Sequence, residues 1–354
     1  MKNPYSHDMR NISGFIILVS ILFIFISPLQ AQNTVLNTGS GNVFSVGILG
    51  GFMYGDATEI VYQANPPIND NPYFSKLYWN FKPLVYFGAE LGYSPANPML
   101  GNGFNSSLTM KFGLPISTGI IGDFDWMDIG ESFITHYSQH EAFSRSTFQD
   151  LADGYGTFTM DLSLGYSWAL NNRIWIRPYG DFAFYRFSWK SMDGYLQYGN
   201  NPTEPAVGMD PWDPNTTPKR ANYGPAIDYS QNWLIFAPGV SFGFNLTDYL
   251  NLSFYVSMTP LIYGYHRDDH LSPTKIWIYL DYVYGGLYIN QKMMLEFKPK
   301  NNLSLDLSGS FMGLSGARGD NYTSKFGAPY IKYPGIAGAG FDLWDFTFSI
   351  DYTF

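Results

Sequence analysis

Two short polar clusters stand out in a chain otherwise rich in apolar and aromatic residues. The first is Asp123-Phe124-Asp125-Trp126-Met127-Asp128, and the second is Asp268-Asp269-His270. Residues two apart share a face of an extended strand. Asp123 and Asp125 therefore stand side by side, and so do Asp268 and His270. Two adjacent carboxylates share or order protons and can hold a water molecule. A carboxylate beside an imidazole orients the ring and stabilises its protonated form, which suits general-base work. Each motif alone is weak, because Asp-rich segments are also solvated turn formers.

The elements that must position these clusters are strands. From Trp344 to Phe354 the chain alternates without a break. Trp344, Phe346, Phe348, Ile350, Tyr352 and Phe354 are apolar, and the residues between them are polar. A strict period of two with a terminal aromatic reads as the closing strand of an outer-membrane β-barrel, with one face on lipid and the other on a polar lumen. Similar alternation recurs along the chain. The candidates lie near 42–62, 76–94, 104–122, 154–170, 173–190, 229–247, 249–266, 274–298, 302–316 and 338–354. They number ten, the even count that single-chain bacterial barrels show. The fold class is an all-β, antiparallel up-and-down transmembrane barrel that extends beyond the membrane.

Connections sort by length. Pro95-Ala96-Asn97-Pro98, Asn171-Asn172, Thr247-Asp248 and Lys298-Pro299-Lys300-Asn301 read as tight turns. Longer stretches near 63–75, 123–153, 191–228, 267–273 and 317–337 read as loops, placed outside the cell by the usual asymmetry of such barrels. The two polar clusters then fall at the outer ends of the third and seventh strands, across the barrel from each other. Odd residues of the third strand face inward, which carries Asp123 and Asp125 into the mouth. In the seventh strand Tyr255, Ser257 and Thr259 put odd residues inward, whereas Asp268 and His270 are even. A bulge near Pro260 or Gly264 is expected to restore them.

The N-terminus carries Lys2 and Arg10, an apolar run from Gly14 to Ile26, and a small residue at Ala31. Residues 1–31 read as a secretory signal, and 32–354 as the barrel. Without cysteine, neither a lipoprotein anchor nor a disulfide is available. Cleavage after Ala31 removes Lys2, Arg10 and Asp8, leaving 18 basic and 28 acidic residues and a net charge of −10. That balance argues against nucleic acid and favours a cationic substrate.

At these residues the chain resembles the omptin family of outer-membrane proteases. Asp123-Phe124-Asp125-Trp126-Met127-Asp128 is similar to its Asp-x-Asp-Trp-x-Asp, and Asp268-Asp269-His270 to its Asp-x-His. Glu59-Ile60-Val61-Tyr62, Ser75-Lys76-Leu77-Tyr78-Trp79, the set Thr135, Ser138 and His140, and the closing Tyr352-Thr353-Phe354 match in order. The resemblance implies a ten-strand aspartic-type endopeptidase that activates water without a covalent intermediate. By carry-over, Asp268 and His270 form the activating dyad. Asp123 and Asp125 help to hold the water and the polarised carbonyl. Glu59 lines a pocket for a basic side chain before the scissile bond. A serine nucleophile at Ser138 is disfavoured by the water-based mechanism. The implied partners are a basic peptide or protein substrate and outer-membrane lipid, with no cofactor and a monomeric chain.

The chain also departs from that family. His266, followed by Arg267, stands where an acid two before the dyad aspartate belongs, and His136 replaces a second acid. Glu59, Asp128, Glu131 or Glu141 remain to make the mouth acidic. Of the family's lipopolysaccharide-binding cluster, Arg186 is matched, but Phe182, Phe184 and Asn232 replace polar or charged members, so dependence on lipopolysaccharide is in doubt. These departures motivate the competing reading of a non-catalytic adhesin or binding barrel. A porin is a weaker alternative, since ten strands leave little room for a channel. His266 and His270 imitate a metal pair but lack a third ligand at suitable spacing. Trp79 and Trp126 read as wall or girdle residues. The stretch from Asn201 to Arg220 reads as a long outer loop.

Overall fold

The computed structural model describes residues 42–63, 72–95, 102–126, 134–199, 211–271, 276–300, 302–325 and 328–354. The expected signal at 1–31, Asp128 and Glu131 lie outside them. The strands are β1 (Asn42–Tyr62), β2 (Tyr73–Pro95), β3 (Gly103–Gly113), β4 (Ser117–Asp125), β5 (His136–Ser144), β6 (Phe158–Ala169) and β7 (Ile174–Tyr198). They continue as β8 (Arg220–Thr247), β9 (Leu250–Thr259), β10 (Ile262–Leu271), β11 (Ile276–Tyr284), β12 (Leu287–Lys300), β13 (Leu303–Lys325) and β14 (Ile331–Thr353). A short helix, α1 (Phe148–Ala152), lies between β5 and β6, capped by Thr147 and Asp150.

Fourteen strand segments make a closed ring of ten. Four ring strands are each broken once, giving the pairs β3–β4, β5–β6, β9–β10 and β11–β12. The lower half of each pair sits in one run of the ladder and the upper half in the next. The ring closes where β1 pairs antiparallel with β14, from Ser45 opposite Thr353 to Val61 opposite Ala337. Among the described residues closure leaves no free sheet edge, which a lipid-exposed sheet requires.

The sequence reading placed loops where strands continue. The expected loop at 123–153 contains β5 and α1, and those at 191–228 and 317–337 are narrowed by the ends of β7, β8, β13 and β14. The unbroken ring strands run from 21 to 28 residues, well beyond the ~9–11 needed to cross a bilayer. The surplus stands above the membrane and carries the site.

In the lower half the alternation has its expected consequence. Phe44, Val46, Ile48 and Phe52 of β1, and Phe346, Phe348, Ile350 and Tyr352 of β14, point outward and are exposed. Inside, Lys111 pairs with Asp345, whose other oxygen takes a hydrogen bond from the Tyr86 hydroxyl. Tyr185 donates to Asp161 at 2.7 Å. On the outer wall, Arg186 donates from Nε to Asn232 Oδ1 at 2.6 Å, and Phe182 is exposed beside Phe236.

Midway up, an aromatic plug fills the lumen. Trp79 stacks on Tyr229 at 4.9 Å, and Phe81 meets Phe187 and Trp189 edge-on at 5.0 Å. Trp79, read from the sequence as a wall or girdle residue, therefore belongs to the core. Its neighbours Leu77 and Phe81 share its inward parity and its burial. Each such aromatic pair adds about 0.5–1.5 kcal/mol beyond burial. Above the plug the barrel opens into the site.

Two adjacent ring strands change parity at the same level. β9 turns odd residues inward, and β10, after the break at Pro260-Leu261, turns even residues inward. Beside it, β11 turns Tyr279, Asp281 and Val283 inward, and β12, after Gly285-Gly286, turns Tyr288 inward. The two glycines adopt φ of 70° and 90°, which other residues rarely tolerate. Gly285 N–H donates to the Ile262 carbonyl at 3.2 Å, so the two breaks are stitched together. Of the two expected bulge positions, the first carries the switch.

Candidate active site

Above the plug is a cavity of about 1250 Å³. Its wall includes Glu59 of β1, Ser75 of β2, Asp123 and Asp125 of β4, Ser138 and His140 of β5, and Asp268 and His270 of β10. The third and seventh ring strands thus bring both polar clusters to one space. Among the described lining residues there is neither lysine nor arginine.

On one side, His270 Nε2 lies 2.8 Å from Asp268 Oδ2, and the ring rests edge-on against Tyr279 with centroids 5.1 Å apart. With Nε2–H donated to Asp268, the neutral imidazole carries its lone pair on Nδ1. Burial works against the imidazolium. The charge and hydrogen bond of Asp268 and the charges of Asp123 and Asp125 outweigh burial and push His270 up to about 9. Asp268 is itself buried, and its Oδ1 has no hydrogen-bond partner.

On the other side, Asp123 and Asp125 follow each other inward on β4. Ser75 donates its hydroxyl to Asp123 Oδ1 at 3.2 Å. Burial and then the neighbouring Asp125 hold Asp123 well above the usual carboxylate range. Burial pushes Asp125 up to about 6, although Ser75 and His270 act in the opposite direction. Two carboxyls in this setting keep a proton near neutral pH.

Deeper in the cavity, Glu59 is buried and its Oε2 has no partner. Burial first, then the charges of Asp268, Asp281 and Asp123, raise it well above an ordinary glutamate. Asp281 stands opposite His266 across the β10–β11 ladder and accepts a 2.7 Å hydrogen bond from Asn321 Nδ2. Burial and the charge of Asp268 push Asp281 up to about 7 against that hydrogen bond.

The remaining predicted positions divide. His266 points inward, but its ring packs on Trp233 at 4.5 Å and neither nitrogen has a partner. Burial lowers it to about 3, so it is a neutral wall residue. Among the described residues no group of three or more His, Asp or Glu is arranged to hold a metal ion. His140 directs Nδ1 to the Asp193 carbonyl at 2.7 Å and not to Ser138. His136 lines the mouth against Tyr198, and Trp126 packs on Tyr73. Glu141 is exposed on the outer side of β5, between the buried His140 and Ala142, so it does not acidify the cavity. Sequence reasoning gave no role to Ser75 and passed over Asp281 and Asn321. A lone acid inside the aromatic strand Ile276–Tyr284 was the available signal for Asp281.

The omptin family model matches residues 40–354. The structure is similar to that of the outer membrane protease OmpT from Escherichia coli, with a TM-score of 0.71 and 16% identity over 91% of this chain and 100% of that one. Two other solved structures are far less similar. The Pseudomonas putida toluene transporter TodX gives a TM-score of 0.33 at 8% identity over 88% of this chain and 89% of its own. OprG from Pseudomonas aeruginosa gives 0.30 at 7% over 89% and 96%. No curated protein matches the chain in sequence. With the family model covering almost the whole barrel, this chain belongs to the omptin family of bacterial outer-membrane proteases.

Proposed function

We propose that this outer-membrane protease is an endopeptidase that cleaves next to basic residues with a water activated by Asp268 and His270. One observation carries the reading: a hydrogen-bonded Asp268–His270 pair lines one cavity with the carboxyls of Asp123 and Asp125. A water between the two sides gives its proton to His270 Nδ1 as its oxygen attacks the peptide carbonyl. The protonated member of the Asp123–Asp125 pair donates a hydrogen bond to the carbonyl oxygen as charge develops there. The tetrahedral intermediate then collapses, and His270 passes its proton to the departing amine. No group of the protein is acylated, and Ser138 has no base oriented to activate it.

The acidic cavity supports a basic side chain as the favoured neighbour of the scissile bond, with Glu59 facing it. Short turns at the opposite end of the barrel support a site that opens outside the cell, in a monomer. Lipopolysaccharide is proposed as a surrounding lipid and not as a required cofactor, since Arg186 is already engaged by Asn232.

The test is cleavage of a mixed peptide library by chain refolded in detergent, with and without lipopolysaccharide. Asp268→Ala and His270→Ala should both be inactive while keeping the folded barrel. A correctly folded wild-type barrel that cuts nothing under either condition would favour a binding barrel instead.

A further inference from the structure

The deep end of the cavity contains more carboxyl groups than the dyad chemistry uses. Glu59 lines the cavity, is 3% exposed and leaves Oε2 without a partner. Asp281 is 2% exposed and lies close enough to Glu59 for their charges to oppose each other. It sits behind Asn321, which itself lines the cavity and donates to Asp281 Oδ1 at 2.7 Å. The side chain facing it across the ladder, His266, is packed on Trp233 and brings no cation. No lysine or arginine is found among the described lining residues. Two buried carboxyls, one with an orphaned oxygen and neither in an ion pair among the described residues, are costly to maintain. A cation brought by a ligand would supply the missing partner.

We infer that Asp281 is a specificity-determining residue: together with Glu59 it receives the cationic end of an arginine or lysine side chain preceding the scissile bond. This inference rests on the proposed peptidase activity and names the second acid of its pocket. Glu59 meets the cation directly. Asp281 adds its field and holds Asn321, whose amide oxygen accepts from the Thr323 hydroxyl at 2.6 Å, in the cavity wall. Asp281 stands one ladder position from the catalytic strand, so it acts on the choice of substrate and not on the reacting water.

The experiment compares two peptides that differ only before the scissile bond, one with arginine and one with citrulline, which keeps the shape and removes the charge. Wild type is expected to prefer arginine. Asp281→Asn should lower kcat/KM on the arginine peptide by about tenfold or more, the scale of a lost buried charge partner, mostly through KM. It should leave the citrulline peptide within about twofold, the scatter of a neutral contact. Asp281→Glu keeps the charge and should keep the preference. If Asp281→Asn does not fold, Asp281→Ser reads the same charge with a smaller side chain. An equal loss on both peptides, or an unchanged ratio, would overturn the inference while leaving the peptidase standing.

If wild type cuts neither peptide, the peptidase reading fails separately. The pocket is then read by calorimetric titration of uncleavable reduced-bond versions of both peptides. Tighter binding of the arginine version, lost in Asp281→Asn, would still support the pocket. Equal binding would reject it.

Discussion

His270 Nε2 and Asp268 Oδ2 are 2.8 Å apart, while Asp268 Oδ1, on the same carboxylate, is buried without a partner. The aspartate is thus committed to one job, holding the imidazole with Nδ1 toward the cavity. Asp268→Asn preserves shape but presents either an amide N–H or a neutral oxygen to the ring. Activity should fall by roughly 10⁴, as when an orienting aspartate is neutralised in a catalytic triad. The double variant with His270→Ala should be little worse than either single change, because the two residues act as a unit. Initial rates on one fluorogenic peptide measure all three.

The pH profile should show the coupling between the two sides of the cavity. His270 accepts a proton only when neutral, and the surrounding carboxylates hold it protonated up to about 9. kcat/KM should therefore rise with pH toward that value. Asp125→Asn removes a negative neighbour that stabilises the imidazolium, so the pKa of His270 falls. The normalised rising limb should move to lower pH, and a shift to higher pH would contradict the placement of Asp125.

The aromatic plug sets a stability prediction. Trp189 is fully buried and touches Trp79, Phe81 and Tyr229. Trp189→Ala should cost about 3–5 kcal/mol. Urea unfolding in lipid vesicles, followed by tryptophan fluorescence, is the measurement.

Lower in the lumen, Lys111 and Asp345 form a buried pair with Tyr86 on the carboxylate. Lys111→Met should be destabilising by about 3–5 kcal/mol, because it strands a buried charge. The double variant Lys111→Met with Asp345→Leu should recover most of that loss. A complete cycle of unfolding free energies separates the pair's own interaction from the cost of stranding.

The lower barrel was legible in the sequence because lipid outside and a polar lumen inside impose a period of two. Phe346, Phe348 and Ile350 alternate with Thr347, Ser349 and Asp351 for that reason. Above the membrane both faces meet water or a polar cavity, and the pattern disappears. Lys190, Ser191 and Asp193 of β7 put polar residues on both sides, and β5 was read as part of a loop although it pairs with β4 from Ser117 to Asp125. The dyad and the Asp pair were legible because residues two apart on a strand share a face. The placement of Asp281 was not, since it is set by its ladder partners His266 and Asn321, which are distant in sequence.

The break at Pro260-Leu261 makes the chemistry depend on chain length as well as on residue type. Thr259 and Ile262 both face the lumen only because two residues intervene. Deleting one of them while the ladder above kept its register along the strand would put Arg267 and Asp269 inside and turn Asp268 and His270 to the solvent. Every catalytic candidate of that strand would survive in the sequence, and the cavity would lose both side chains. In this chain, the residue count across the 259–262 junction decides whether Asp268 and His270 reach the cavity, which the Asp-x-His motif alone does not.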